Sequence, residues 1–219
     1  MLKYALFDLD GTLTDPGPGI TNCVTYALNK FGIYPQNREE LYPYIGPPLV
    51  YSFHEFHGLT AEQAEQATAF YRERFTVKGL FENEVYPGIF ELLQDLTDRG
   101  VELLIATSKP EEFTVRILEH FNLSKYFSFV GANNLNEDRP TKEAVIAYVK
   151  ENYPEITREN AVMVGDRKYD VEGAHHHNLQ AIGVLYGYGD RAEMETAGAD
   201  FVVDSVTALR KTLLDRIEM

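Results

Sequence analysis

Asp8 and Asp10 stand one residue apart in the stretch ALFDLDGTLTD, Ala5–Asp15, directly behind an apolar run of strand length. Residues two apart on a strand start on the same face, so the two carboxylates repel unless something positive joins them. Gly11 and Thr12 follow as a sharp exit of the backbone. Further groups of related chemistry recur downstream: Thr107, Ser108 and Lys109 in IATSKP, Lys142 in RPTKEAV, and Asp166 and Asp170 in VGDRKYD. Hard oxygen ligands in this number suit Mg²⁺, with Asp8 and Asp166 as the expected pair around it. The hydroxyl of Thr107, a lysine and backbone N–H groups near Gly11 would then hold phosphate oxygens.

Strand-length apolar runs that can carry these residues lie at Tyr4–Phe7, Leu103–Ala106, Phe127–Val130, Ala161–Val164, Ala181–Leu185 and Phe201–Val203. Helical patterns alternate with them. Ile89, Leu92, Leu93 and Leu96 repeat at helical spacing before Gly100; Val206, Leu209, Leu213 and Ile217 follow the candidate cap Ser205. Pro110 suits the first turn of a helix carrying Phe113, Ile117 and Phe121. This alternation predicts an α/β fold, a doubly wound parallel sheet with ligands beyond the carboxyl ends of its strands. Those ends are where Asp8, Thr107 and Asp166 fall.

Residues 16–82 interrupt the pattern with helical signals alone. TAEQ at Thr60–Gln63 is a capping box, and Ala64, Ala67, Tyr71 and Phe75 follow on one face. Breaker-rich stretches at Asp15–Gly19 and Asn83–Gly88 bound the segment. We read it as an inserted helical domain hinged at both ends, with 1–15 and 83–219 forming the α/β core.

Composition narrows the function. The 219 residues are 44% hydrophobic and 25% charged, an ordinary globular balance. A net charge of −14 argues against a nucleic acid polymer or an anionic membrane as partner, and requires a locally positive site for any small anion. The start of the chain has no secretory pattern, and no run approaches the roughly 18 apolar residues of a membrane span. Cys23 is the single cysteine, which fits a reducing, cytoplasmic setting.

DLDGT, ATSK, a lysine and GDRKYD, in that order, resemble the four motifs of the haloacid dehalogenase superfamily, across the whole core. The insert falls where that superfamily carries a helical cap. DGTLTDPGPGIT, YIGPPL, ATSKP and AIGVLYGYG are similar to its phosphoglycolate phosphatase-like branch, which also includes 5′-nucleotidases. The resemblance implies a Rossmann-like core and a Mg²⁺-dependent phosphatase of a small phosphorylated metabolite, working as a monomer or homodimer. Asp8 would be the nucleophile and Asp10 the acid and base; Thr107 and Lys142 would bind the phosphoryl group. Asp8, the Asp10 carbonyl, Asp166 and Asp170 would hold the metal. Gly11, Thr12, Ser108 and the Gly46 loop of the insert are expected at the substrate. Pro140 precedes Lys142 where the third motif more often has proline after its lysine, so Arg139 is a conceivable substitute. His177-Asn178 stands in place of an Asn-Gly turn.

Blander readings exist for several of these. Thr107 and Ser108 could cap the helix that Pro110 opens. His175–His177 point in different directions on a helix and read as surface, as do His54 and His57. The aromatic residues of Tyr42–Tyr51 read chiefly as core of the insert. Other functions on the same scaffold are a 5′-nucleotidase, a sugar phosphomutase and, from another class, a non-catalytic binding module. With all of Asp8, Asp10 and Asp166 present, the phosphatase of phosphoglycolate type leads.

Overall fold

Runs that are apolar on both faces satisfy their backbone only by pairing inside a covered sheet. The computed structural model, which describes residues 1–136 and 138–218, pairs them as one sheet. Its strands are β1 (Tyr4–Phe7), β4 (Glu102–Pro110), β5 (Phe127–Asn133), β6 (Ala161–Gly165), β7 (Gln180–Val184) and β8 (Phe201–Val203). They lie in the order β5-β4-β1-β6-β7-β8, and every ladder is parallel. Tyr4 pairs with Glu102 on one side and Ala161 on the other, so β1 is central. The chain fills β4 and β5 on one side of β1, then crosses back to fill β6, β7 and β8. That reversal opens the ligand crevice of a doubly wound sheet beyond the end of β1.

On one face, Leu6, Leu104, Met163 and Ala181 of the strands pack with Val145, Ile146 and Val149 of α6 (Lys142–Asn152). Val171 and Ala174 of α7 (Lys168–His176) join them. Helices α4 (Ile89–Asp98) and α5 (Glu111–His120) pack on β4, and α9 (Val206–Glu218) packs on α4 and β8. A short α8 (Arg191–Ala197) precedes β8. Expected stops are in place: Gly100 has φ 78°, Asn178 φ 53°, and Ser205 Oγ accepts from the Ala208 amide at 3.2 Å.

One boundary differs. Strand β4 continues to Pro110, which pairs with Asn133, and α5 begins only at Glu111. Pro110 is thus the residue before the helix rather than part of its first turn. No side-chain cap bond closes this N-terminus, so neither Thr107 nor Ser108 caps it.

Contacts divide the chain into two compact units, Met1–Thr14 with Val85–Met219, and Asp15–Glu84. Two-residue strands β2 (Thr14–Asp15) and β3 (Glu84–Val85) pair with each other where the chain passes between the units. The second unit is helical: α1 (Gly17–Asn29), α2 (Leu49–His57), α3 (Ala61–Phe75) and two 3₁₀ segments, Arg38–Tyr44 and Gly79–Phe81. The breaker run at Asp15–Gly19 opens α1, because Pro18 fits a first helical turn and Asp15 Oδ1 accepts from the Gly17 amide at 2.9 Å. Thr60 and Gln63 cap α3 reciprocally at 3.0 and 3.2 Å, an arrangement worth about 1 kcal/mol. Tyr44 is core, stacked edge-on against Phe53, whereas Tyr42 and Tyr51 are exposed. Of the histidines of α2, His54 is exposed as expected, its Nδ1 2.8 Å from the Leu59 carbonyl, whereas His57 is half-buried with its Nδ1 bonded to the Tyr44 hydroxyl at 2.7 Å. Gly46 has φ 110° in the turn before α2, a conformation that favours glycine.

Candidate active site

Beyond β1 the Asp8 amide still donates to Val164 O at 2.9 Å, so Asp8 leaves the sheet at a fixed point beside β6. The chain then turns tightly, with the Leu13 amide bonded to Leu9 O at 2.9 Å and the Gly11 amide to Thr14 O at 2.8 Å. Gly11 has φ 79°, and a Cβ there would stand 2.1 Å from Asp166 Oδ2. Glycine is therefore required both by conformation and by the carboxylate against it. Strand β6 delivers Asp166 immediately after Gly165, whose own missing Cβ would lie 2.1 Å from Asp170 Cγ. Asp170 sits in the first turn of α7 and accepts from the Arg167 amide at 3.1 Å, where a carboxylate also complements the helix dipole.

Asp8, Asp166 and Asp170 each offer an oxygen within 4.8 Å of the others. Lys142, the first residue of α6, reaches into this group. Its Nζ is ion-paired with Asp8 Oδ1 at 2.9 Å and Asp170 Oδ1 at 2.7 Å, and it donates to the Ala106 carbonyl at 2.8 Å. The adjacent Thr141 caps α6 through its hydroxyl, accepting from the Ala144 amide at 3.2 Å. Arg139 points elsewhere: its Nε donates to Ala132 O at 2.7 Å and its guanidinium lies over the Tyr148 ring. The lysine after Pro140 thus occupies the carboxylate cluster and the arginine does not.

Burial and crowding perturb these groups. Burial lifts the Asp166 carboxyl well above its ordinary pKa, and the charges of Asp170 and Asp8 add to the rise. Burial also pushes Asp170 up, to about 6, although Lys142 opposes it. The ammonium of Lys142 is held above its usual value, because Asp170 and Asp8 outweigh the effect of burial. One ammonium cannot neutralise three carboxylates, so the cluster retains a deficit of positive charge. That deficit, together with all-oxygen donors, fits a hard divalent cation.

Asp10 lies apart from this group. Its Oδ2 is ion-paired with Lys109 Nζ, while its Oδ1 is buried without a hydrogen-bond partner. Burial raises the Asp10 carboxyl, with Lys109 pulling the other way. The Thr12 hydroxyl is fully buried and turned to Asp166 Oδ1 at 3.5 Å, which makes it a support of that carboxylate. Thr107 and Ser108 lie on β4 just past its last pair with β1, Ile105 with Phe7, and Thr107 Oγ1 accepts from the Lys109 amide at 3.3 Å. Gly46 belongs to the second unit.

Two features escaped the sequence reading. Lys109 stood among the strand ends there without a role. The loop Tyr186–Gly189 behind β7 was noted only for its resemblance, yet the Tyr188 amide donates to Asp166 Oδ2 at 2.8 Å and the Tyr186 hydroxyl to Thr12 O at 3.0 Å. A Cβ on Gly187 or Gly189 would come within 2.4 Å of Asp166 atoms. Alternating glycines directly behind a strand were the available signal.

Comparison with known proteins agrees with this geometry. The profile of the haloacid dehalogenase-like hydrolases matches residues 5–184. The chain belongs to that family, and it is an enzyme of the phosphoric monoester hydrolase class. A 5′-nucleotidase of Pseudomonas aeruginosa is 40% identical over 97% of this chain and 96% of its own. Tyrosine-protein kinase PtkA of Mycobacterium tuberculosis is 35% identical over 94% and 69%. Phosphoglycolate phosphatase 1 of Pseudomonas aeruginosa is 31% identical over 94% and 78%. The crystal structure of a predicted phosphatase from Clostridium acetobutylicum is similar with a TM-score of 0.93 and 47% identity, covering 98% of this chain and 99% of that one.

Proposed function

We propose that the chain is a Mg²⁺-dependent phosphatase of a small phosphomonoester, acting through a phosphoryl group carried on Asp8. The observation that supports this most directly is the meeting of Asp8, Asp166, Asp170 and Lys142 at the reversal of strand order. Asp8 attacks phosphorus as the ester oxygen departs, and Asp10 gives that oxygen a proton. Water then attacks the aspartyl-phosphate, losing its proton to Asp10 and releasing inorganic phosphate. Lys142 and Thr107 bind phosphoryl oxygens through the transfer. The carboxylates of Asp8, Asp166 and Asp170, with the Asp10 carbonyl, would hold the cation, which would supply charge stabilisation for the phosphoryl group. Selection of the substrate by size is assigned to the insert 16–82, with Gly46 as its candidate residue.

A nucleoside 5′-monophosphate is the substrate we favour, because the relative named for that activity is 40% identical and matches in length. Phosphoglycolate, the leading expectation from the sequence, takes second place on a 31% relative. Phosphate release should be measured across nucleoside 5′-monophosphates, 2-phosphoglycolate and hexose phosphates, with MgCl₂ and with EDTA. Release that needs Mg²⁺ and prefers one ester supports the reading and names the substrate. A hexose phosphate returned as its isomer without free phosphate would replace hydrolysis with a mutase.

A further inference from the structure

Behind β7 the chain runs Leu185-Tyr186-Gly187-Tyr188-Gly189 and returns to the turn beyond β1. Two segments grip Asp166 there. The Tyr188 amide donates to its Oδ2 at 2.8 Å, and the buried Thr12 hydroxyl stands 3.5 Å from its Oδ1. The Tyr186 hydroxyl joins those two segments by donating to Thr12 O at 3.0 Å. The ring that carries this hydroxyl is itself braced. It meets Tyr86 edge-on, with centroids 5.0 Å apart, and the Tyr86 amide donates to Leu13 O at 3.1 Å. The loop lies flush on the turn, since a Cβ on Gly187 would stand 2.3 Å from Gly11 O. The hydroxyl therefore closes a ring of contacts that runs from Asp166 through the loop to Thr12 and back.

We propose that Tyr186 is a positioning residue of the metal site, whose hydroxyl fixes the placing of Asp166 relative to Asp8. This rests on the reading of Asp8, Asp166 and Asp170 as holders of a cation, and adds to it a residue that is itself no ligand. Asp8 and Asp166 stand directly after different strands, β1 and β6, so neither strand alone sets the gap between their carboxylates. Lys142 ties Asp8 to Asp170. Tyr186 supplies the corresponding tie for Asp166, by holding the loop that grips this carboxylate against the turn that starts at Asp8. Ligands spaced before the cation arrives need no ordering when it binds. Without the hydroxyl, turn and loop move independently, and the cation must order them itself. Once bound it holds both, so the loss falls on affinity rather than on the rate of the loaded enzyme.

Wild type, Tyr186→Phe and Tyr4→Phe would be stripped with EDTA and titrated with MgCl₂ at one fixed pH by isothermal titration calorimetry. The Tm of each metal-free protein measures its fold. Tyr4→Phe is the control, because it removes a hydroxyl bond of the same kind, to Glu155 Oε1 at 2.9 Å, at the opposite end of β1. Outer partners of metal ligands are worth about 10–100-fold in affinity, and Tyr186 acts one bond further out, so Tyr186→Phe should weaken Mg²⁺ binding by about tenfold. Tyr4→Phe should match wild type. In phosphate release from p-nitrophenyl phosphate, the Mg²⁺ concentration for half-maximal rate should rise by the same factor in Tyr186→Phe, with kcat at saturating MgCl₂ near wild type. Unchanged Mg²⁺ affinity in Tyr186→Phe, with or without a lower Tm, would overturn the proposal and leave Tyr186 a residue of the fold. An equal loss in Tyr4→Phe would overturn it too, as general loosening. Should Tyr186→Phe fold only in sucrose, all three proteins are titrated in it and the same comparison decides. Wild type that binds no Mg²⁺ would instead remove the cation reading on which the proposal stands.

Discussion

Lys142 touches two carboxylates and a carbonyl while its side chain is 4% exposed. Removing one partner of a buried charge group leaves the others unpaired, at a cost of about 3–5 kcal/mol. Lys142→Met should therefore lower stability in urea denaturation by about that amount in EDTA, and part of the loss should return with MgCl₂ as a cation takes over the neutralisation. Equal loss with and without the metal would mean that the cation does not enter this cluster. Asp8 gives the sharper functional test. Asp8→Asn keeps the shape and one acceptor but is a far poorer nucleophile; phosphate release should fall to background while the circular dichroism spectrum is unchanged. Retained turnover would refute the assignment of Asp8.

At the scale of elements, the site is held by close approaches that only glycine permits. Gly165 faces Asp170, and Gly11, Gly187 and Gly189 crowd around Asp166. Supports of metal ligands typically contribute about 10–100-fold in metal affinity, and Gly189→Ala, whose Cβ would stand 2.1 Å from Asp166 O, should weaken Mg²⁺ binding by that range in isothermal titration calorimetry. Unchanged affinity would show that the loop does not steer Asp166. Much of this scale was legible in the sequence. Tyr4–Phe7 and Phe201–Val203 are strands over the residues their apolar runs predict, and the Thr60–Gln63 capping box forms. Such features are local: a run buried on both faces or a cap three residues ahead carries its own signal. Asp8 and Asp166 were also legible, because carboxylates behind apolar runs stand out, whereas Lys142 opens a helix after a polar stretch and was expected at the site through the family resemblance. The partnership of Lys109 with Asp10 was not, since it depends on a side chain from β4 meeting one from the turn beyond β1, far away in sequence. The same holds for β2 and β3, two residues each, which no periodicity can reveal, and for Tyr188, which acts through its backbone amide.

For the whole molecule, the deficit of positive charge at the cluster couples stability to pH. Asp166 and Asp170 have pKa values raised in the folded state, Asp170 to about 6. The native protein thus binds more protons than the unfolded chain between the unfolded value, about 3.9, and the folded one, and stability from these groups falls as pH rises through that window. Below it both states are protonated and the penalty is absent. A cation that binds the ionised carboxylates offsets the penalty, so the rise in Tm on adding MgCl₂ to EDTA-treated protein should be small near about pH 5 and larger near about pH 7.5. A Tm increment that does not vary with pH would contradict this linkage. No described helix is long and apolar enough to cross a membrane.

The central position of β1 has a consequence for biosynthesis. Strand β1 is made before both of its neighbours, so Tyr4 must wait for Glu102 and then for Ala161. Until β6 emerges, one edge of β1 stays open, and Asp8 lacks both Asp166 and Asp170. Contacts this distant in sequence form slowly, and open strand edges are where unfinished chains stick to one another. Activity is then a property that no amino-terminal fragment can have, and the appearance of phosphate release during synthesis would time the closing of the sheet.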